Sequence, residues 1–311
     1  MADGLPLAYH HISKMNIATL YPSQCTLGEG VLWHSRRRSY FWVDIQEGIL
    51  HEFNTAGGLK TWNLGTPVSM IVEQQDDTLL LAVKGGIVLF NPADGSTAKL
   101  VSIENSEPGN RCNDGACDSE GRIWVGTMDM HAEAYAGNLY RIDTNLGVTK
   151  VINDLTIPNG LVWSLDQARM YHIETMSRSV KSYIFNRQTG EIHYEKVVIS
   201  VPPDMGYPDG MTIDAEGMLW IALYGGHGVS RWNPDTGELL DKITLPAPHV
   251  TNCCFGGDNL DELAVTSARE NLDAEQLAQY PESGNVFIIT GLGVKGVSNN
   301  RSNYKKQYQY V

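Results

Sequence analysis

No apolar run in this 311-residue chain is long enough to cross a membrane. The opening residues, MADGLPLAYHHISKMN, lack the charged segment followed by an apolar one that marks a secretory leader. These absences set the expectation of a cytoplasmic protein with no membrane partner. The five cysteines, Cys25, Cys112, Cys117, Cys253 and Cys254, include no C-x-x-C pair, so they form neither a disulfide framework nor a zinc cage. The adjacent Cys253 and Cys254 read as small apolar packing residues. No G-x-S-x-G surrounds Ser23, Ser164 or Ser177, which disfavours a serine hydrolase. Positive charge is scarce: 23 Lys and Arg stand against 36 Asp and Glu, a net charge of −13. Such a surface repels phosphate backbones and argues against nucleic acid as a partner, while it suits a cation or a neutral or cationic substrate. No amphipathic helix of convincing length is present either.

What the chain does have is regular punctuation. Turn signals (NTAGG, NPADGS, DSEG, NRQTG, DAEG, NPDTG) alternate with short runs rich in Val, Ile, Leu, Tyr and Trp, such as SYFWVDI, TLLLAVK, RIWVGTM and MLWIALY. A short segment recurs at intervals of 39 to 50 residues, beginning at Glu29, Val68, Asp114, Asn159, Asp209 and Asn252. Further strand-like runs follow most copies, so each unit reads as four short strands. The expectation is an all-β, six-bladed β-propeller of four-stranded antiparallel blades, with residues 1–311 as a single domain. The segment 1–24 is placed as a contributor to ring closure through the apolar stretch near Asn16. The polar tail 298–311 either pairs as an outer strand or frays. Trp33, Trp124, Trp163 and Trp220 recur in the blades and read as core.

In a propeller the innermost strand of each blade begins near the central channel, so equivalent positions converge on one axis. Five of the six repeat positions carry polar oxygen atoms. Glu29 and Asp209 would then be carboxylates crowded together, repelling unless a cation or a proton relieves them. Carboxylate and carboxamide oxygens suit Ca²⁺, Mg²⁺ or Mn²⁺, and Zn²⁺ also accepts them. The bland alternative is that Asp and Asn merely start strands, because they are common at turns.

At these positions the chain resembles the regucalcin/gluconolactonase family of six-bladed propellers. The matching segments are LGEG at 27–30, RCNDG at 111–115, GRIWVGTMD at 121–129, IPNGLVWSLD at 157–166 and YPDGMTID at 207–214. A further stretch, LPAPHVTNCCFGG at 245–257, is more similar to bacterial sugar-acid lactonases than to animal regucalcins. The resemblance implies a metal-dependent hydrolase that opens a sugar lactone. Glu29, Asn159 and Asp209 are its implied ligands for one divalent ion, and Asp209 is also the implied base for the attacking water. Arg111 and Asn113 are implied substrate contacts. The repeat alone selects Asp114 rather than Asn113; the resemblance assigns Asn113 and leaves Asp114 as a neighbour that hydrogen-bonds it. His131 stands where some family members carry a substrate-touching Glu, and reads equally as a substrate contact or a solvated loop residue. His227 reads the same two ways. His172 and Glu174 either reach the channel or pair locally. Two other functions fit the same scaffold: a phosphotriester or fluorophosphate hydrolase, and a calcium-binding propeller without chemistry. The sequence carries no signal for the oligomeric state.

Overall fold

A computed structural model describes residues 15–304. The first strand, β1 (Asn16–Tyr21), is followed by groups of four. The first group is β2 (Gly28–His34), β3 (Ser39–Asp44), β4 (Ile49–Asn54) and β5 (Gly58–Asn63). The second is β6 (Val68–Glu73), β7 (Leu79–Val83), β8 (Gly86–Phe90) and β9 (Thr97–Ser102). The third is β10 (Asn110–Cys117), β11 (Ile123–Asp129), β12 (Gly137–Ile142) and β13 (Val148–Leu155). The fourth is β14 (Pro158–Trp163), β15 (Arg169–Glu174), β16 (Ser179–Asn186) and β17 (Glu191–Ser200). The fifth is β18 (Tyr207–Ile213), β19 (Leu219–Tyr224), β20 (Gly228–Trp232) and β21 (Leu239–Thr244). The last is β22 (His249–Gly256), β23 (Glu262–Ala268) and β24 (Val286–Thr290), joined at its edge by β1, with the short helix α1 (Ala274–Gln279) between β23 and β24. All pairings between these strands are antiparallel, and the last two groups are linked only where Tyr224 pairs with His249.

The inner strands β2, β6, β10, β14, β18 and β22 each touch the next, and β22 touches β2, so the sheets surround a common axis in the manner of a propeller. Packing follows the same ring. Each buried apolar cluster is shared by two neighbouring groups, for example Leu80 and Ile87 with Val125 and Ile142, or Trp42 and Val31 with Ala264 and Val286 across the closure. Trp124, Trp163 and Trp220 are buried and Trp33 is partly buried, as core residues. The DSEG and DAEG turns anchor two of these tryptophans. Asp118 accepts from the Trp124 indole at 3.0 Å and from Arg122, and Asp214 accepts from the Trp220 indole at 2.9 Å and from Arg231.

The tail does not extend an outer edge. It crosses the far end of the axis, where the inner strands run out. Ala215 N–H donates to the Lys295 carbonyl at 2.8 Å, Asn300 Nδ2 to the Cys117 carbonyl at 3.0 Å and Ser302 N–H to the Glu73 carbonyl at 2.9 Å. Arg301 pairs with buried Glu73 at 2.9 Å. The rest of the expected tail, 305–311, lies outside the described residues, as does 1–14. Among the described residues no helix is long and apolar enough to cross a membrane.

Candidate active site

Every inner strand departs from regular pairing near its start. The register slips between Glu29 and Leu32, Val68 and Met70, Cys112 and Gly115, Pro158 and Leu161, Pro208 and Met211, and Val250 and Asn252. A bulge breaks the two-residue alternation and re-aims a side chain. Asn113, Asn159 and Asp209 all sit inside these bulges, and Glu29 flanks one. The glycines of the PNG and PDG segments have a separate reason. A Cβ on Gly160 would come within 2.5 Å of Met211 Cβ, and one on Gly210 within 2.5 Å of Asn252 Cγ, because the next inner strand lies directly against each.

The result is a cavity of 440 Å³ at the end of the axis where the inner strands begin. Glu29, Arg111, Asn113, His131, Asn159 and Asp209, all named from the sequence, line it together. His131 sits exposed at the mouth, its backbone N–H donating to Asp129 at 2.7 Å. The deeper side chains form a chain of hydrogen bonds. Arg111 Nη1 donates to Asn113 Oδ1 at 2.7 Å, and Asn113 Nδ2 to Asn159 Oδ1 at 3.0 Å. Asn159 Nδ2 donates to the Thr175 hydroxyl at 2.8 Å, and that hydroxyl to the Pro208 carbonyl at 2.8 Å. The orientation of the Asn159 amide is thereby fixed from both ends.

The carboxylates are less well provided for. Glu29 accepts on one oxygen from Gly30 N–H at 2.9 Å and Asn252 Nδ2 at 3.1 Å. Its other oxygen has no donor among the described residues. Neither oxygen of Asp209 receives one, although only 7% of this residue is exposed. Burial, and then the charge of Asp114, push the Glu29 carboxyl up to about 8. Burial also raises Asp209 well above the usual carboxylate range, with Glu29 and Asp114 adding to it. Arg111 is the nearby cation, its own pKa lowered by burial against the opposing pull of Glu270 and Glu29. Buried, donor-poor carboxylate oxygens beside a carboxamide oxygen fit a hard divalent ion. Among the described residues no three His, Cys, Asp or Glu side chains form such a site by themselves; the Asn159 amide lines the same cavity as the two carboxylates.

Asp114 departs from its expected place. It does not bond Asn113; its carboxylate accepts from Gly115 N–H at 2.7 Å and lines a second chamber, of 280 Å³, further along the axis. Asn113 and Asp114 share one bulge opposite Gly126, and the two side chains leave it toward different ends. His172 is fully buried within its sheet with neither ring nitrogen bonded. Glu174 accepts from the backbone of Thr156, Ile157 and Ser177 and so ties down loops. His227 packs on Tyr280. None of the three lines the cavity. Thr175, Gln46 and Glu270 also line it and come from turns and loops outside the repeated segment, while Tyr207 opens β18 two residues before Asp209.

Comparison with known proteins identifies the family. Residues 27–269 match the model of the SMP-30/gluconolactonase/LRE-like region. Regucalcin of Macaca fascicularis is 36% identical over 293 residues, covering 92% of this chain and 98% of that protein. A structure of a calcium-binding regucalcin from Agrobacterium tumefaciens superimposes with a TM-score of 0.86 at 31% identity, covering 92% of this chain and 96% of that one. A luciferin-regenerating enzyme superimposes with a TM-score of 0.87 at 31% identity, covering 93% and 99%. The finer likeness of 245–257 to bacterial sugar-acid lactonases rests on those residues alone. The chain belongs to the SMP-30/gluconolactonase/LRE-like family, with regucalcins among its relatives.

Proposed function

We propose that this protein is a sugar lactonase on a six-bladed propeller, opening an aldonolactone to its aldonic acid with the help of one divalent ion. The observation that carries the reading is the meeting of Glu29, Asn159 and Asp209, from three separate inner strands, in one cavity that also holds Arg111 and Asn113. Glu29, Asn159 and Asp209 would hold the ion, which is Ca²⁺, Mg²⁺, Mn²⁺ or Zn²⁺. When bound it supplies Lewis acidity, polarising an ester carbonyl and easing the ionisation of water.

The chain's own residues do the rest. Arg111 spends Nη1 on Asn113 and on the Cys112 carbonyl, which leaves its other donors for the oxygens of a ligand. Asn113 is locked between Arg111 and Asn159, so a ring bound against it meets a rigid wall. The Asp209 carboxylate, with no donor among the described residues, is the group that takes the proton of the attacking water. His131 at the mouth is placed to contact the outer part of the ring. Arg111, Asn113 and Glu270 in the lining offer partners for ring hydroxyls, which favours a hydroxylated substrate over a phosphotriester or fluorophosphate. The five cysteines are buried free thiols, in keeping with a reducing cytoplasm.

The test is acid release in a pH-stat from a panel of aldonolactones. Chelated protein should be inactive and should recover when one of the four ions is returned. Full activity under chelation, or none with any ion, overturns the reading. Ion binding without turnover would leave the calcium-binding alternative, which the description of the Agrobacterium relative favours.

A further inference from the structure

Glu270 enters the cavity from the segment after β23, on the last sheet, far in sequence from Arg111 on the third. It is firmly held. Its N–H donates to the Thr26 carbonyl at 2.8 Å, and its carbonyl accepts from the Tyr224 hydroxyl at 3.3 Å and lies 2.9 Å from His249 Nδ1. Gln46 Nε2 donates to Oε1 at 2.7 Å. Oε2 has no donor among the described residues, so a rigid carboxylate keeps one oxygen for a ligand.

The charges decide what that ligand is. Glu29, Asp209 and Glu270 are the carboxylates lining the cavity, and Arg111 is its fixed cation. With a divalent ion in place the formal charges of these lining groups cancel before substrate arrives, and Asp114 in the adjoining chamber adds a further negative charge. A neutral lactone keeps that balance. A lactone bearing a phosphate or a second carboxylate adds an uncompensated negative charge beside Glu270, in a site where burial weakens screening. Without Glu270 the same cavity would be one charge less negative and would tolerate the anion better.

Resting on the lactonase reading, we propose that Glu270 is a specificity-determining residue: it accepts a hydrogen bond from a ring hydroxyl and turns away lactones that carry a second acidic group. The negative charge of Glu270 also opposes the effect of burial on the Arg111 guanidinium.

The experiment compares wild type with Glu270→Gln, which preserves the shape and an acceptor for Gln46. Two quantities are read: kcat/KM on an aldonolactone and on the same ring phosphorylated at its distal carbon, and the Kd by calorimetry of a non-hydrolysable 1,5-anhydroalditol and its phosphate ester. In wild type both should favour the neutral ring. In Glu270→Gln the preference should shrink by roughly tenfold, with the neutral lactone losing more through KM than through kcat. Lactone turnover with an unchanged preference overturns the role of Glu270 and leaves the lactonase standing. No lactone turnover in wild type, with a Kd preference that still shrinks in the variant, overturns the lactonase and keeps the charge selection.

Discussion

The two ends of the central axis are built from the same inner strands, yet they serve opposite ends. Where the strands begin, bulges turn Asn113, Asn159 and Asp209 into an open cavity rich in carboxylate and amide oxygens. A few residues further on, the same strands present Met70, Leu161, Met211 and Cys253, together with Asp114 and Asn252, to a second chamber that the tail segment Val297–Asn300 also lines. The ladders that hold both ends are alike. The difference lies in which residues fall in the bulges and in whether a chain segment crosses the opening. At one end backbone irregularity leaves polar groups lining a cavity, and at the other the tail bonds to backbone groups of the strands and turns.

The sharpest way to break this comparison is to alter the open end alone. Asp209→Asn keeps the shape and removes the charge. It should lower kcat/KM on the order of a thousandfold, while leaving the melting temperature unchanged or higher because a repelled buried charge is gone. Steady-state kinetics and a thermal melt on the same sample check both halves.

The end that the tail crosses should respond in reverse. Arg301→Ala strands Glu73, which is only 2% exposed and whose pKa burial already raises. Arg301 is itself a third exposed, so the loss should be about 2 kcal/mol, below that of a fully buried pair. Arg36 stays 3.7 Å from Glu73 as a partial substitute. Denaturant melts measure the loss, and kcat/KM should stay near the wild-type value.

The open end should also show a pH dependence of stability. Folding raises the Glu29 pKa from its ordinary 4.5 to about 8, so the folded state disfavours the charged form. Below 4.5 the group is protonated in both folded and unfolded chains and contributes nothing. As pH rises toward 8 the unfolded chain loses the proton first and stability falls. Relative to Glu29→Gln, the melting temperature of the chelated wild type should therefore decline across that window. Added divalent ion should remove the decline. A flat difference between the two proteins would contradict the crowding of charge at this end.

Much of this was legible before any coordinates. A repeat of 39 to 50 residues, with Glu, Asn and Asp at matching positions, implies convergence on an axis, because each copy starts an inner strand. The DSEG and DAEG turns likewise mark where buried Asp118 and Asp214 latch onto tryptophans. Asp114 was misplaced because alternation along a strand is the only rule a sequence offers, and a bulge suspends it for one residue. Thr175 and Glu270 were missed for a different reason. They reach the cavity from a turn and a loop whose positions depend on partners such as Pro208, Gln46 and Tyr224, distant in the chain. The tail's path was equally hidden, since its partners are backbone groups on three other sheets and in the turns between strands.

The central claim is that Glu29, Asn159 and Asp209 share one cation. Crystals soaked in Mn²⁺ and measured at the manganese absorption edge test it without reference to catalysis. A single anomalous peak bounded by those three side chains is the predicted result. A peak elsewhere, or none beside them in protein that still hydrolyses lactone, would contradict it.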